Sequence, residues 1–153
     1  MQGPLLNNPC KAVVREGIIS PMLAQKKFRE IILQLLFSID MGEGKQEEIL
    51  PLLMRELSVS KKIVTQAFER ATSIWEKRQS LDQKIGELSQ TYDFTRIGRV
   101  EQNVLRLGVY ELEAQEIDHE VAIAEAIRLA RKFASPEAAS FVNAILHHAA
   151  FPV

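Results

Sequence analysis

The sequence predicts an all-α protein, a single compact bundle of about seven helices. Three observations carry that prediction. Apolar residues recur at three- and four-residue steps along most of the chain, the spacing of a helix with one buried stripe. Two Ser-Pro pairs, Ser20-Pro21 and Ser135-Pro136, each place a good N-cap before the residue best suited to the first helical position. No alternating run flanked by turn residues suggests a sheet.

The elements follow in order. Residues 1–20, with Pro4, Asn7, Asn8 and Pro9, read as an N-terminal tail, and residues 21–153 as the helical domain. The first helix is expected from Met22 to Met41, stopped by the glycines of "GEGK" (42–45). The second covers Gln46–Leu57. The third starts at Ser58 or Ser60 and runs to about Arg78, and the fourth covers Leu81–Thr91. "YDFTRIG" (92–98) is a connection. The fifth spans Gly98–Ala114, the sixth His119–Ala134, and the seventh follows Ser135. Gly108 lies inside "VLRLGVYEL", where it costs about 1 kcal/mol relative to Ala; close approach of another helix is the reason expected for it. Arg106 and Glu111 in the same helix are expected either to pair with neighbouring helices or to cap the bundle.

Composition narrows the class. The 153 residues are 46% hydrophobic and 25% charged, which suits a folded domain able to bury a core without staples. A single cysteine, Cys10, permits no intramolecular disulfide and points to a reducing cytoplasm. No apolar run reaches the ~20 residues of a membrane span, and the N-terminus lacks a secretion pattern. The net charge of −1 is unevenly spread. Residues 1–29 hold five cations against Glu16 alone, +4, which leaves −5 for the rest. This fits either a basic arm on an acidic body or a solvated tail with incidental lysines.

Catalytic chemistry is missing from the pattern. The three histidines are His119, His147 and His148; the last two are adjacent and face different sides of a helix. With one cysteine, no zinc set forms. There is no phosphate-binding glycine loop, and no carboxylate pair stands out. The reading is a binding protein with no cofactor and no metal, not an enzyme.

Two helices carry the candidate contacts. In the first, Phe28, Ile31, Ile32, Leu35, Leu36 and Ile39 form a core stripe at 100° per residue. Leu33 and Phe37 fall on the other side, among Lys26, Glu30 and Gln34. Such a helix is either covered on all sides or presents a second apolar face to a partner. In the last helix, Ala138, Val142, Ile145, Leu146 and Ala149 form the core arc with Phe141 at its edge. Asn143 points roughly opposite, with Ser140 and His147. A ring at that border either packs on a neighbouring helix or stacks on an unpaired base.

The segments "VLRLGVYEL" (104–112), "VAIAEAIRLARKF" (121–133) and "FVNAIL" (141–146), in that order and spacing, resemble the bacterial NusB transcription antitermination factors. "KKFREIILQLLF" (26–37) is similar to the family's N-terminal motif of basic residues, Arg-Glu, and Gln-Ala-Leu-Tyr. The likeness covers about residues 22–150. It implies two helical halves and no catalysis. It further implies binding of boxA, a single-stranded element of nascent RNA, as a heterodimer with NusE, the small-subunit ribosomal protein S ten. That complex joins RNA polymerase with NusA and NusG and promotes read-through, notably in ribosomal RNA operons. Some members form homodimers instead.

Carried over by position, the resemblance gives Lys26, Lys27 and Arg29 to RNA phosphates, and Glu137, Phe141 and Asn143 to the RNA site. Phe37, in place of a tyrosine, goes to the partner face, which Leu33 shares by its angle on the helix. The departures are specific. The arginine-rich start is reduced to two lysines and Arg29, Ser140 replaces a common lysine, and Ala124 replaces an asparagine. Fewer phosphate contacts mean weaker RNA binding and a shallower salt slope. Lys11 and Arg15 of the tail are candidates to compensate. A scaffold or homodimer with little RNA affinity is therefore the alternative function. A third reading is the NusB-like domain found at the N-terminus of some ribosomal RNA cytosine methyltransferases, which requires a catalytic segment after residue 150.

Overall fold

A computed structural model describes residues 21–42, 46–89 and 93–152. The expected tail at 1–20, with Cys10, Lys11 and Arg15, lies outside the described residues. So do most of "GEGK" and Tyr92. Among the described residues there are seven α-helices, one 3-10 turn and no strand. The helices are α1 (Pro21–Met41), α2 (Gln46–Leu57), α3 (Lys61–Glu76), α4 (Arg78–Leu88), α5 (Arg99–Ala114), α6 (His119–Phe133) and α7 (Pro136–Ala150). The chain divides into two compact units, one ending at Ser73 and one beginning at Ile74.

In the first unit, α1 stops at Gly42, whose φ of +68° is a left-handed conformation that costs glycine nothing. Pro51 sits inside α2 and deprives it of one ladder hydrogen bond. Ser58 at φ 53° turns the chain after α2. Of the two serines expected to open the third helix, Ser60 does so: its hydroxyl accepts from the Ile63 N–H at 3.3 Å. Buried side chains include Phe28, Ile31, Ile32, Leu33, Leu35 and Leu36 of α1, Leu50 and Leu53 of α2, and Ile63, Val64, Ala67 and Ala71 of α3.

The third helix ends earlier than its sequence suggests, and the fourth begins earlier. Lys77 leaves helical geometry at φ −94°, ψ 8°. Arg78 holds the break, donating from Nη1 to the Trp75 carbonyl at 3.0 Å with its guanidinium 4.5 Å from the Trp75 ring centroid.

The second unit is built around α5. Every residue from Gln102 to Val109 is buried, because α4, α6 and α7 all pack on this helix. Three of those buried residues are polar, and each is satisfied. Gln102 Nε2 donates to the Phe94 and Ile97 carbonyls, both at 3.0 Å, tying the 3-10 turn Phe94–Arg96 to α5. Asn103 Nδ2 donates to the Arg99 carbonyl at 3.0 Å. Arg106 donates from Nε and Nη2 to the two carboxylate oxygens of Asp82 at 2.7 and 2.9 Å, and from Nη1 to Asn103 Oδ1 at 2.9 Å. Its guanidinium also lies 5.3 Å from the Trp75 ring centroid and 5.4 Å from that of Phe94. The expected pairing of Arg106 with a neighbouring helix is thus a bidentate clamp from α5 to α4.

Gly108 has the role its position suggests. A Cβ there would stand 2.7 Å from Leu146 Cδ1 of α7, so the absent side chain sets how closely α5 and α7 approach. The capping at Ser135 is also as expected: its hydroxyl accepts from the Ala138 N–H at 3.0 Å, and Pro136 opens α7. α6 carries Glu120 in its first turn and Arg131 and Lys132 in its last, complementing the helix dipole at both ends.

Candidate nucleic-acid interface

α1 is enclosed over a wider arc than a single stripe. Phe28, Arg29, Ile31, Ile32, Leu33, Leu35 and Leu36 are all buried, an arc of roughly 200° at 100° per residue. Two sequence expectations are corrected by this. Leu33 is 3% exposed, so it belongs to the core and not to an open partner face. Arg29 is 6% exposed and has a partner within the fold, so it is buried here rather than displayed on the surface beside Lys26 and Lys27. Of the two readings of this helix, coverage by the fold holds for most of its circumference. The remaining strip, Lys26, Lys27, Glu30, Gln34 and Phe37, is half-buried. Phe37 stands there beside charged neighbours, as its angular position requires.

α7 behaves as its periodicity suggests. Ala138, Ala139, Val142, Ile145 and Leu146 are buried. Glu137, Ser140, Asn143, Ala144, His147 and His148 are exposed, and Phe141 is half-buried and in contact with its surroundings. Glu137 and Phe141 are one turn apart on the same side of the helix. Asn143 lies about 160° around the axis from Phe141. These two residues mark the opposite borders of the solvent-facing surface, with Ser140, Ala144 and His147 between them. Lys26 and Lys27 lie in the first unit, and Glu137, Phe141 and Asn143 in the second.

Comparison with known proteins decides the family. The model of the NusB family matches residues 26–151. The transcription antitermination protein NusB of Chlamydia pneumoniae is 43% identical over 130 residues, 84% of this chain and 81% of that protein. The chain belongs to the NusB family. The same-named protein of Citrifermentans bemidjiense is 33% identical over 141 residues, 86% of this chain and 97% of that one. Among solved structures, T. maritima NusB superposes with a TM-score of 0.66 at 29% identity, covering 82% of this chain and 89% of that chain. A chain in the crystal structure of a plectonemic RNA supercoil gives 0.70 at 24% identity, over 82% and 92% respectively, a likeness of fold.

Membership in the NusB family places the chain among transcription antitermination proteins rather than enzymes. No helix among the described residues is long and apolar enough to cross a membrane. Among those residues, no three of His, Cys, Asp and Glu gather as metal ligands. Several features of this NusB-family chain are not readable from local pattern. The Arg106–Asp82 clamp joins residues 24 apart in sequence. Phe151, beyond the end of α7, sits 4.9 Å from the His147 ring centroid and 6.1 Å from that of His119, holding the end of α7 beside the start of α6. The only sequence sign of that contact is one aromatic after the last helical residue.

Proposed function

We propose that this chain is an antitermination factor of the cytoplasm that binds boxA-type single-stranded RNA together with NusE. With NusA and NusG on RNA polymerase, it promotes read-through of ribosomal RNA operons. The observation that carries the proposal is membership in the NusB family over residues 26–151, a span that includes every candidate contact residue of α1 and α7. Phe141 supports it, as a half-buried ring at the border of an exposed face, where its accessible part can stack on a base. Glu137 and Asn143, both exposed, supply hydrogen-bonding groups on that helix. Lys26 and Lys27 meet phosphates, and Phe37, backed by buried Leu33, meets NusE.

The alternative, a protein scaffold or homodimer with little RNA affinity, is favoured by one observation. With Arg29 buried, the basic start of α1 offers two lysines. Two phosphate contacts give a salt slope of about −1.4 for a single strand, roughly a sevenfold loss of affinity between 50 and 200 mM salt. The deciding experiment titrates boxA RNA and a scrambled control at those two concentrations, with and without NusE. Preference for boxA, strengthened by NusE, supports the proposal. NusE binding without RNA selectivity makes the scaffold reading the function.

A further inference from the structure

A groove opens between α6 and α7 on the second unit. It is lined by Glu120, Ile123, Ala124 and Ile127 from α6 and by His147 and Phe151 from the end of α7, with a cavity volume of about 460 Å³. Its walls are mostly apolar. Ile123 is 6% exposed, Ile127 is half-buried, and Phe151 is 41% exposed, so the ring shows a substantial face to solvent. That ring is held by its contacts with His147 and His119. Ala124 is exposed and small, which leaves the middle of the groove open. None of the residues assigned above to RNA or NusE lines it.

The charge at its mouth selects the kind of occupant. Glu120 lines the groove itself, and Glu116 and Asp118, both exposed, precede α6 at the same end. The cations on α6 nearest to Glu120 are Arg128 and Arg131, eight and eleven residues along it, about 12 and 16 Å along the axis and more than a Debye length at physiological salt, and Arg128 is paired with Glu125. This end of the groove therefore repels phosphates and attracts a cation. We propose that the groove docks a protein segment presenting a large aliphatic or aromatic side chain one helical turn from a lysine or arginine. The apolar side chain seats between Ile123, Ala124, Ile127 and Phe151, and the cation meets Glu120. This surface is separate from the RNA reading and stands whether or not that reading holds.

The test is a titration of the isotope-labelled full chain, followed by backbone amide shifts. The probe is a twelve-residue amphipathic peptide with leucines at three- and four-residue spacing flanked by lysines. Two controls replace its leucines by serine or its lysines by glutamate. The leucine–lysine peptide is expected to shift the amides of Ile123, Ile127 and His147, and both controls to bind at least tenfold more weakly. Ala124→Arg, at an exposed position, is expected to abolish binding, and Glu120→Lys to reverse the preference between the lysine and glutamate peptides. Thermal melts establish that both variants fold; if one does not, the three peptides on the unaltered chain decide alone. Equal binding of the serine peptide, a preference unmoved by Glu120→Lys, or no shift in the groove overturns the proposal. So does a shift of the same amides by an RNA oligonucleotide, or by concentrating the chain alone, which would make the occupant a nucleic acid or a second copy.

Discussion

Replacing Gly108 by alanine sets two effects of opposite sign against each other, and the structure says which wins. In an exposed helix the change gains about 1 kcal/mol of helix propensity. Here the new Cβ would meet Leu146 Cδ1 at 2.7 Å and Cδ2 at 3.1 Å. Carbon atoms rest comfortably at about 3.5–4.0 Å, so Leu146 or its helix must give by roughly 0.8 Å. Leu146 is fully buried, which restricts its freedom to turn away. Overpacking of this kind costs about 1–3 kcal/mol. The net expectation is a loss of about 1 kcal/mol, or a fall of roughly 2–4 °C in Tm for a chain of this size.

A double-mutant cycle read by urea unfolding isolates the contact. Leu146→Ala alone costs about 2–5 kcal/mol. In that background the obstruction is gone, so Gly108→Ala changes from destabilising to stabilising by about 1 kcal/mol, a coupling of roughly 2 kcal/mol. If Gly108→Ala stabilises the unaltered chain, or its effect is the same in both backgrounds, the close-approach argument is wrong.

Asp82→Ala leaves the Arg106 guanidinium buried without its carboxylate and is expected to cost about 3–5 kcal/mol by the same unfolding assay; Asp82→Ala with Arg106→Met should recover much of that loss. Ser135→Ala removes the cap of α7 and should lower stability by about 1 kcal/mol without altering the helix content measured by circular dichroism. Phe141→Ala is expected to weaken boxA binding by about 1–3 kcal/mol, roughly 5- to 150-fold, in a filter or fluorescence assay, and an unchanged affinity removes the ring from the site. Phe37→Asp, on the half-buried strip of α1, should weaken NusE association in calorimetry while the chain still folds cooperatively in a thermal melt at a lower Tm.

What could be read from the sequence was what local chemistry determines. Ser135-Pro136 announces α7 because cap and first residue act within one turn. Gly108 draws attention because a glycine amid good helix formers needs a reason. The border position of Phe141 follows from spacing alone, since α7 has an ordinary one-sided core. The misreadings have non-local causes. Helical spacing ranks residues by angle but says nothing of how wide an arc the rest of the protein covers, so Leu33 falls on the open side of α1 by angle and is nonetheless buried; Arg29, given to RNA by the resemblance, is buried as well. The break at Lys77 carries no proline or glycine; it is held by Arg78 reaching back to Trp75. The partner of Arg106 is set by how α4 and α5 pack, which no motif within either helix encodes.

The Arg106 clamp also bears on how this sequence can change over generations. A lysine at 106 would keep the charge but forfeit the two-pronged grip on Asp82, and any neutral residue there would strand the Asp82 carboxylate, whose side chain is only 24% exposed. Loss of Asp82 first strands the arginine instead. Either order of substitution passes through a destabilised intermediate, although an apolar pair at both positions would be tolerated. The two sites are therefore expected to drift together or hardly at all, and descendants of this chain should differ in their surface residues long before they differ here.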